Sequence, residues 1–321
     1  MKIQAFLLLL LLLAGCSKSR DNAAHAARSE ADRAVADSGA SAISRLSTDT
    51  LPREGEMLLE SRYSKSDSVR IVLLLAQSRS LPDSTNWMLY FGRQFLGIPY
   101  VAKTLDREMD EHLVVNVREL DCTTFVETVL ALHRCRSLHK YSFVDFLGEL
   151  RRVRYLGGEM AYVNRQHYFT VWINDNQRMR IVDDIQSPNP PFTAVQHLSV
   201  NWMTTHSKDY PQLAAHPEWV GGITKMEQSI TGKSYRYIPK ARIANTRLLR
   251  QTIHDGDILV ILTSKSGLDT SHIGIAVWHK DGLHLLNASY LRRKVVEEPK
   301  TLYLYMQGQR SQTGIRVCRP R

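Results

Sequence analysis

From Gly256 to the C-terminus the sequence runs through short apolar stretches divided by tight breaks: "DILVILT" (257–263), "SHIGIAVW" (271–278), "LHLLNAS" (283–289), "KVVEE" (294–298) and "GIRVC" (314–318), with a short helix expected near 301–307. Runs of this length and spacing read as consecutive, antiparallel-looking strands. The first half reads as helices over 56–79 and 84–96, separated by Leu81-Pro82-Asp83, then an extended piece at 113–117. Further helices are expected from about Cys122 and around 142–154. After the Gly157-Gly158 break, "HYFTVWI" (167–173) and "MRIVDDI" (179–185) are expected as two strands, while 186–252 has no clear pattern. Helices followed by a run of strands predict an α+β domain. With 321 residues, 43% of them hydrophobic, and no internal repeat, residues 52–321 are expected to form one unit with an N-terminal helical extension.

The N-terminus reads differently. Lys2 precedes an unbroken apolar run over 5–14, too short to span a bilayer as a mature helix, so residues 1–15 are expected to be an export signal. Leu13-Ala14-Gly15-Cys16 resembles the lipobox of bacterial lipoproteins, which implies lipid on Cys16. Residues 16–51 are rich in Ala, Ser, Arg and Asp and lack an apolar stripe, as a flexible tether would. The expected location is therefore exported and lipid-anchored, facing the periplasm or cell envelope, with an outer membrane as the anchor.

A formal charge of +10 favours a polyanionic partner: nucleic acid, acidic lipid or an acidic wall polymer. Export and the lack of any zinc-finger or single-strand-binding motif argue against nucleic acid. Arg134, Arg136, Lys140, Arg151, Arg152 and Arg154 cluster in sequence and are expected to form a solvated helix face. With Cys16 assigned to lipid, Cys122, Cys135 and Cys318 remain, an odd count that implies at least one free thiol. Cys122 and Cys135 would sit about 220° apart on one helix and should not pair, while Cys135 with Cys318 stays open. No metal or other cofactor is expected, because there is no His-Glu-x-x-His and the twelve histidines show no evident ligand spacing.

In "RELDCTTFVETVLALHRC" (118–135), Cys122, Phe125, Val126, Val129, Leu130 and His133 share one helical face. Asp121, or a Thr124–Glu127 capping pair, would start the helix within a residue or two of Cys122. The helix dipole and unpaired N–H groups there favour a thiolate. Taken alone, Cys122 could equally be an inert buried residue. On the strand 271–278, His272, Gly274, Ala276 and Trp278 share a face, and the small residues leave room for a helix end to approach. If His279–Gly282 is a four-residue loop, Asn287 falls diagonal to His272, within side-chain reach. A two-residue Asp281-Gly282 turn would move Asn287 opposite Ala276 instead. A thiol, an imidazole and an orienting carboxamide form a nucleophile–base set.

These residues carry a resemblance. "GIPYV" (97–101), "LDCTTFVE" (120–127), "DGDILVI" (255–261), "SHIGIAV" and "LHLLNAS", in that order, resemble the NlpC-type papain-like cysteine hydrolases of bacterial cell walls. "ELDCTTFVE", "RQHYFTVWINDN" and "GLDTSHIGIAV" look like the N-acetylmuramoyl-L-alanine amidase-like family, domain of unknown function 1460, over about 85–320. The resemblance implies a papain-like core with Cys122 as nucleophile, His272 as general base and acid, Asn287 as orienting residue and Tyr100 as an oxyanion donor. Asn287 stands where the family pattern leads one to expect His. Arg165, His167 and Tyr168 match a substrate-pocket stretch, and His167 is the competing base. The implied substrate is peptidoglycan or its muropeptides, cut between N-acetylmuramic acid and L-Ala. The rival readings are a γ-D-Glu-diamino-acid endopeptidase and a non-catalytic wall-binding lipoprotein.

Overall fold

A computed structural model describes residues 54–321, which form one compact unit. The expected signal (1–15), the lipidation site Cys16 and the tether (16–51) lie outside the described residues. Among the described residues no helix is long and apolar enough to cross a membrane.

The helix expected over 56–79 is two helices, α1 (Glu54–Glu60) and α2 (Lys65–Ser78). Ser64 ends the run: its hydroxyl accepts from the Asp67 N–H and the Asp67 carboxylate accepts from the Ser64 N–H, a reciprocal cap that starts a new helix. Between them β1 (Ser61–Arg62) pairs in parallel with β2 (Leu113–Val114), beyond α3 (Trp87–Arg93). Two longer helices follow, α4 (Cys122–Ser137) and α5 (Phe143–Arg154).

The strand expected over 167–173 is instead part of α6 (Phe169–Arg178); of the second expected strand only β3 (Val182–Ile185) forms. Residues 169–173 are buried without alternation, so their apolar run fits either structure and tertiary contacts decide. Asp269 accepts from the Thr170 N–H at 2.7 Å, satisfying a donor in the first turn of the helix. The region 186–252 holds β4 (Ala194–His197), α7 (Trp202–Thr205), α8 (Pro211–Ala215), α9 (Val220–Ile230), β5 (Ser234–Pro239) and α10 (Arg247–Thr252). Its small core joins Leu198, Met203, Ile223 and Ile230 to Tyr168 and Val171.

The strands read from the C-terminal half all form: β6 (Ile258–Thr263), β7 (Thr270–Trp278), β8 (Leu283–Ser289), β9 (Lys294–Glu297) and β10 (Gln312–Pro320), with α11 (Leu302–Gln307) before the last. They join an eight-stranded antiparallel sheet in the order β4-β5-β10-β6-β7-β8-β9, with β3 alongside the end of β10. Trp278 pairs with Leu283, which makes the four-residue loop and sets the β7–β8 register. One face, with Ile273, Ile275, Val277 and Leu286, packs on Phe125, Val126 and Val129 of α4. The other, with Ile261, Ala276 and Leu285, packs on Leu249 of α10 and Leu302 and Met306 of α11.

The basic cluster of 134–154 is an ion-pair network, not a solvated face. Arg134, Lys140 and Arg152 converge on the buried Glu149 at 2.7, 2.9 and 2.8 Å, while Arg136, Arg151 and Arg154 bind Asp83, Glu60 and Glu127.

Candidate active site

Cys122 is the first residue of α4. Asp121 caps it, its carboxylate accepting from the Thr124 N–H at 2.8 Å while Thr124 Oγ1 accepts from the Asp121 N–H at 3.0 Å. Glu127, the other capping candidate, is buried and bonded to Arg154 at 2.7 Å. Cys122 is partly exposed, whereas Cys135 and Cys318 are buried, unpaired thiols. Burial, then the adjacent Asp121 carboxylate, push the Cys122 thiol up to about 12, against weaker help from the Ile273 and Thr123 backbones. The thiolate expected from the helix terminus alone is therefore not the resting form: desolvation and a neighbouring negative charge outweigh the dipole.

The chain before α4 brings Tyr100 alongside. The Leu120 N–H donates to the Pro99 carbonyl and the Val101 N–H to that of Leu120, both at 3.1 Å. Burial and then Cys122 hold the Tyr100 phenol well above its ordinary value, so it stays a donor.

His272 and Asn287 meet as the hairpin spacing predicts, 2.9 Å apart from Nε2 to Oδ1. Asn287 Nδ2 donates to the Leu285 carbonyl at 3.2 Å, which turns Oδ1 toward the ring. Nε2 of the imidazole then carries the proton and Nδ1 is left as the base. Burial lowers the His272 pKa below its ordinary 6.5, with Asn287 and the charge of Glu298 opposing. The thiol reaches this corner at the Ile273 backbone, one residue from His272.

The expected route of the helix end is corrected. α4 packs against the Ile273 and Ile275 face, and the space beside Gly274 is filled by Leu285 and Asn287, whose Cβ lies 2.9 Å from where a Gly274 Cβ would stand. His272 shares its side of the sheet with Tyr305 of α11, ring centroids 6.5 Å apart, and the Tyr305 phenol also interacts electrostatically with Cys122. Tyr305 and Glu298 are absent from the sequence reading. Only the paired acids of "KVVEE" and a tyrosine on a short helix hint at them. Glu298 is buried, accepting from Ser289 Oγ at 2.9 Å and from Arg292 Nε at 3.3 Å. A hollow of about 190 Å³ opens beside it, lined by Tyr305, Arg292, Lys300 and Gln309.

Arg165, His167 and Tyr168 fall in a neighbouring layer. Arg165 is buried and bound to Asp106 at 2.5 Å, with Glu111 at 3.5 Å. His167 Nε2 donates to the Tyr162 carbonyl at 2.8 Å, and burial followed by Arg165 drops its pKa to about 3. Tyr168 donates to Glu227 at 2.6 Å and accepts from the Met203 N–H, deep in the small core. Its hydroxyl therefore braces this layer rather than presenting a free pocket surface. Among the described residues, His279, Asp281 and His284 are three potential metal donors that converge, a trio the sequence spacing did not bring out.

Fold and site together define an α+β protein that sets a thiol, at the start of a buried helix, near an imidazole–carboxamide pair on an antiparallel sheet. The chain belongs to the N-acetylmuramoyl-L-alanine amidase-like family, whose sequence profile matches residues 90–315. It is 38% identical to an N-acetylmuramoyl-L-alanine amidase from Bacteroides uniformis, over 73% of this chain and 98% of that one, with a TM-score of 0.67. A Bacteroides fragilis protein named as a candidate xylanase is 39% identical over 71% of this chain and 98% of its own, at 0.66. A Legionella pneumophila protein of domain of unknown function 1460, 22% identical over 80% and 95%, shares the fold at 0.61. No curated protein matches the chain.

Proposed function

We propose that this protein is a peptidoglycan hydrolase that cuts the amide between the lactyl group of N-acetylmuramic acid and L-Ala of the stem peptide, through a thioester on Cys122. The observation that carries the reading is the oriented pair, His272 held by Asn287 at 2.9 Å, with the Cys122 sulfur at the next residue along the strand. As sulfur attacks the carbonyl, its proton passes to His272 Nδ1. The imidazolium then protonates the leaving L-Ala nitrogen as the C–N bond breaks. Water, deprotonated by the same nitrogen, cleaves the thioester and restores the thiol. Tyr100 and the Cys122 N–H would donate to the oxyanion.

Family membership and the named Bacteroides uniformis neighbour support the amidase reading over a cut within the stem. We read the core as papain-like, of the NlpC type. The Arg292 and Lys300 lining of the hollow would suit a carboxylated stem peptide, whereas Arg165 is spent on Asp106 and Glu111 and His167 on the Tyr162 carbonyl. Glycoside hydrolysis uses a pair of free carboxyl groups. Here Asp121 is committed to the helix cap and Glu298 to Ser289 and Arg292. Export and lipidation at Cys16 would place the enzyme in the envelope with its substrate.

Mass spectrometry of muropeptides incubated with the chain tests the reading. Free stem peptides beginning at L-Ala, with peptide-free glycan, are expected, and neither should form with a folded Cys122→Ala variant. Fragments cut inside the stem would make it an endopeptidase, and binding without turnover would make it a scaffold.

A further inference from the structure

We propose that the β7–β8 hairpin carries a divalent-cation site, built from His279, Asp281 and His284, that takes a borderline transition-metal ion such as Zn²⁺. One donor atom from each residue lies within 4.8 Å of the others. The loop that holds them is closed by the His279 N–H donating to the Gly282 carbonyl at 2.9 Å.

The hydrogen bonds of the two imidazoles point to a cation. Nδ1 of the buried His284 lies 2.8 Å from the Glu298 backbone carbonyl, which can only accept, so that nitrogen carries a proton. In the neutral ring Nε2 is then a bare lone pair, and it faces Asp281 Oδ1 at 3.0 Å, another group that only accepts when ionised. A cation held between these two acceptors satisfies both. His279 has one nitrogen tied to an acceptor. Its Nε2 lies 2.5 Å from Glu297 Oε1, and Arg93 holds the other oxygen of that carboxylate at 3.1 Å. A carboxylate or carbonyl on the outer nitrogen is how metal-ligating histidines are oriented, and it leaves Nδ1 of His279 for a cation. The two rings lie only 4.4 Å apart between centroids, close enough for one dication to be shared by both rings and Asp281.

Two nitrogens and one carboxylate oxygen suit Zn²⁺, with a water in the fourth position. The site is seven residues along β7 from His272, roughly 23 Å at strand rise, so the ion braces the hairpin and takes no part in the hydrolysis. Glu297 and Glu298 tie the ligands to the end of β9, so binding would stiffen the strands that carry His272 and Asn287.

Titration of the full chain with Zn²⁺, and with Co²⁺ as a spectroscopic substitute, tests the proposal. One equivalent is expected to bind, the Co²⁺ form showing visible bands without thiolate charge transfer, and Zn²⁺ should raise the melting temperature. The exposed positions allow folded His279→Gln and Asp281→Asn variants, which should each weaken binding more than about tenfold, and Glu297→Gln should weaken it roughly 10–100-fold. No saturable binding, a thiolate charge-transfer band from the cysteines, or affinity unchanged in both ligand variants would overturn it.

Discussion

In the proposed mechanism, with the Cys122 thiol near 12 and the His272 imidazole below its ordinary 6.5, proton transfer would accompany attack instead of preceding it. This fixes the pH dependence. The working form has His272 neutral, so kcat/KM should fall as pH drops through a value below 6.5, and no alkaline loss is expected from the thiol until pH approaches 12. Asn287→Asp would set a negative charge on Nε2–H, favour the imidazolium and move the acid limb upward by roughly one to three pH units. A pH–rate profile of the two proteins checks this, and an unmoved limb would mean His272 is not the titrating base. At this scale the pair was legible, because strand alternation and a four-residue loop suffice to place Asn287 diagonal to His272. The thiol's protonation was not, since it depends on burial and on the Asp121 charge, which a helix-dipole argument omits.

Among the elements, β7 and β8 matter most, and at Gly274 side chains of β8 fill the space that a Cβ on β7 would take. A Cβ at Gly274 would lie 2.8 Å from Leu285 Cγ and Cδ1 and 2.9 Å from Asn287 Cβ. Gly274→Ala should therefore cost about 1–3 kcal/mol of stability and push Asn287 off the imidazole, lowering kcat/KM at unchanged nucleophile. Gly221→Ala, at a position with open space around it, serves as the control. Thermal unfolding and kinetics of both variants decide the point, and normal activity in Gly274→Ala would remove Asn287 from the account. The same glycine shows where pattern reading stops. Small residues beside a histidine suggest room for a helix, yet the room is taken from within the sheet and α4 packs on the opposite face. Likewise "HYFTVWI" supports strand or helix equally well until Asp269 and the packing of α6 are known.

Across the whole molecule the strands from Gly256 onward follow the sequence closely, because each is short, apolar and bounded by turn residues. The region 186–252 does not, since its small core depends on Tyr168 and Val171 of distant segments. The net charge of +10 does not gather in the 134–154 cluster, where Glu149, Glu127, Glu60 and Asp83 partner the bases. Under the proposed function, recognition of an acidic substrate would fall instead to groups such as Arg292 and Lys300, which line the hollow beside Glu298. The central claim is that Cys122 takes the muramoyl acyl group, and intact-protein mass spectrometry after acid quench of a muropeptide reaction tests it directly. The expected adduct has the mass of the N-acetylmuramic-acid-terminated glycan less one water, maps to the peptide containing Cys122, and disappears on further incubation as free glycan forms. Turnover by Cys122→Ala at the wild-type rate, or an adduct carrying stem-peptide residues, would contradict it.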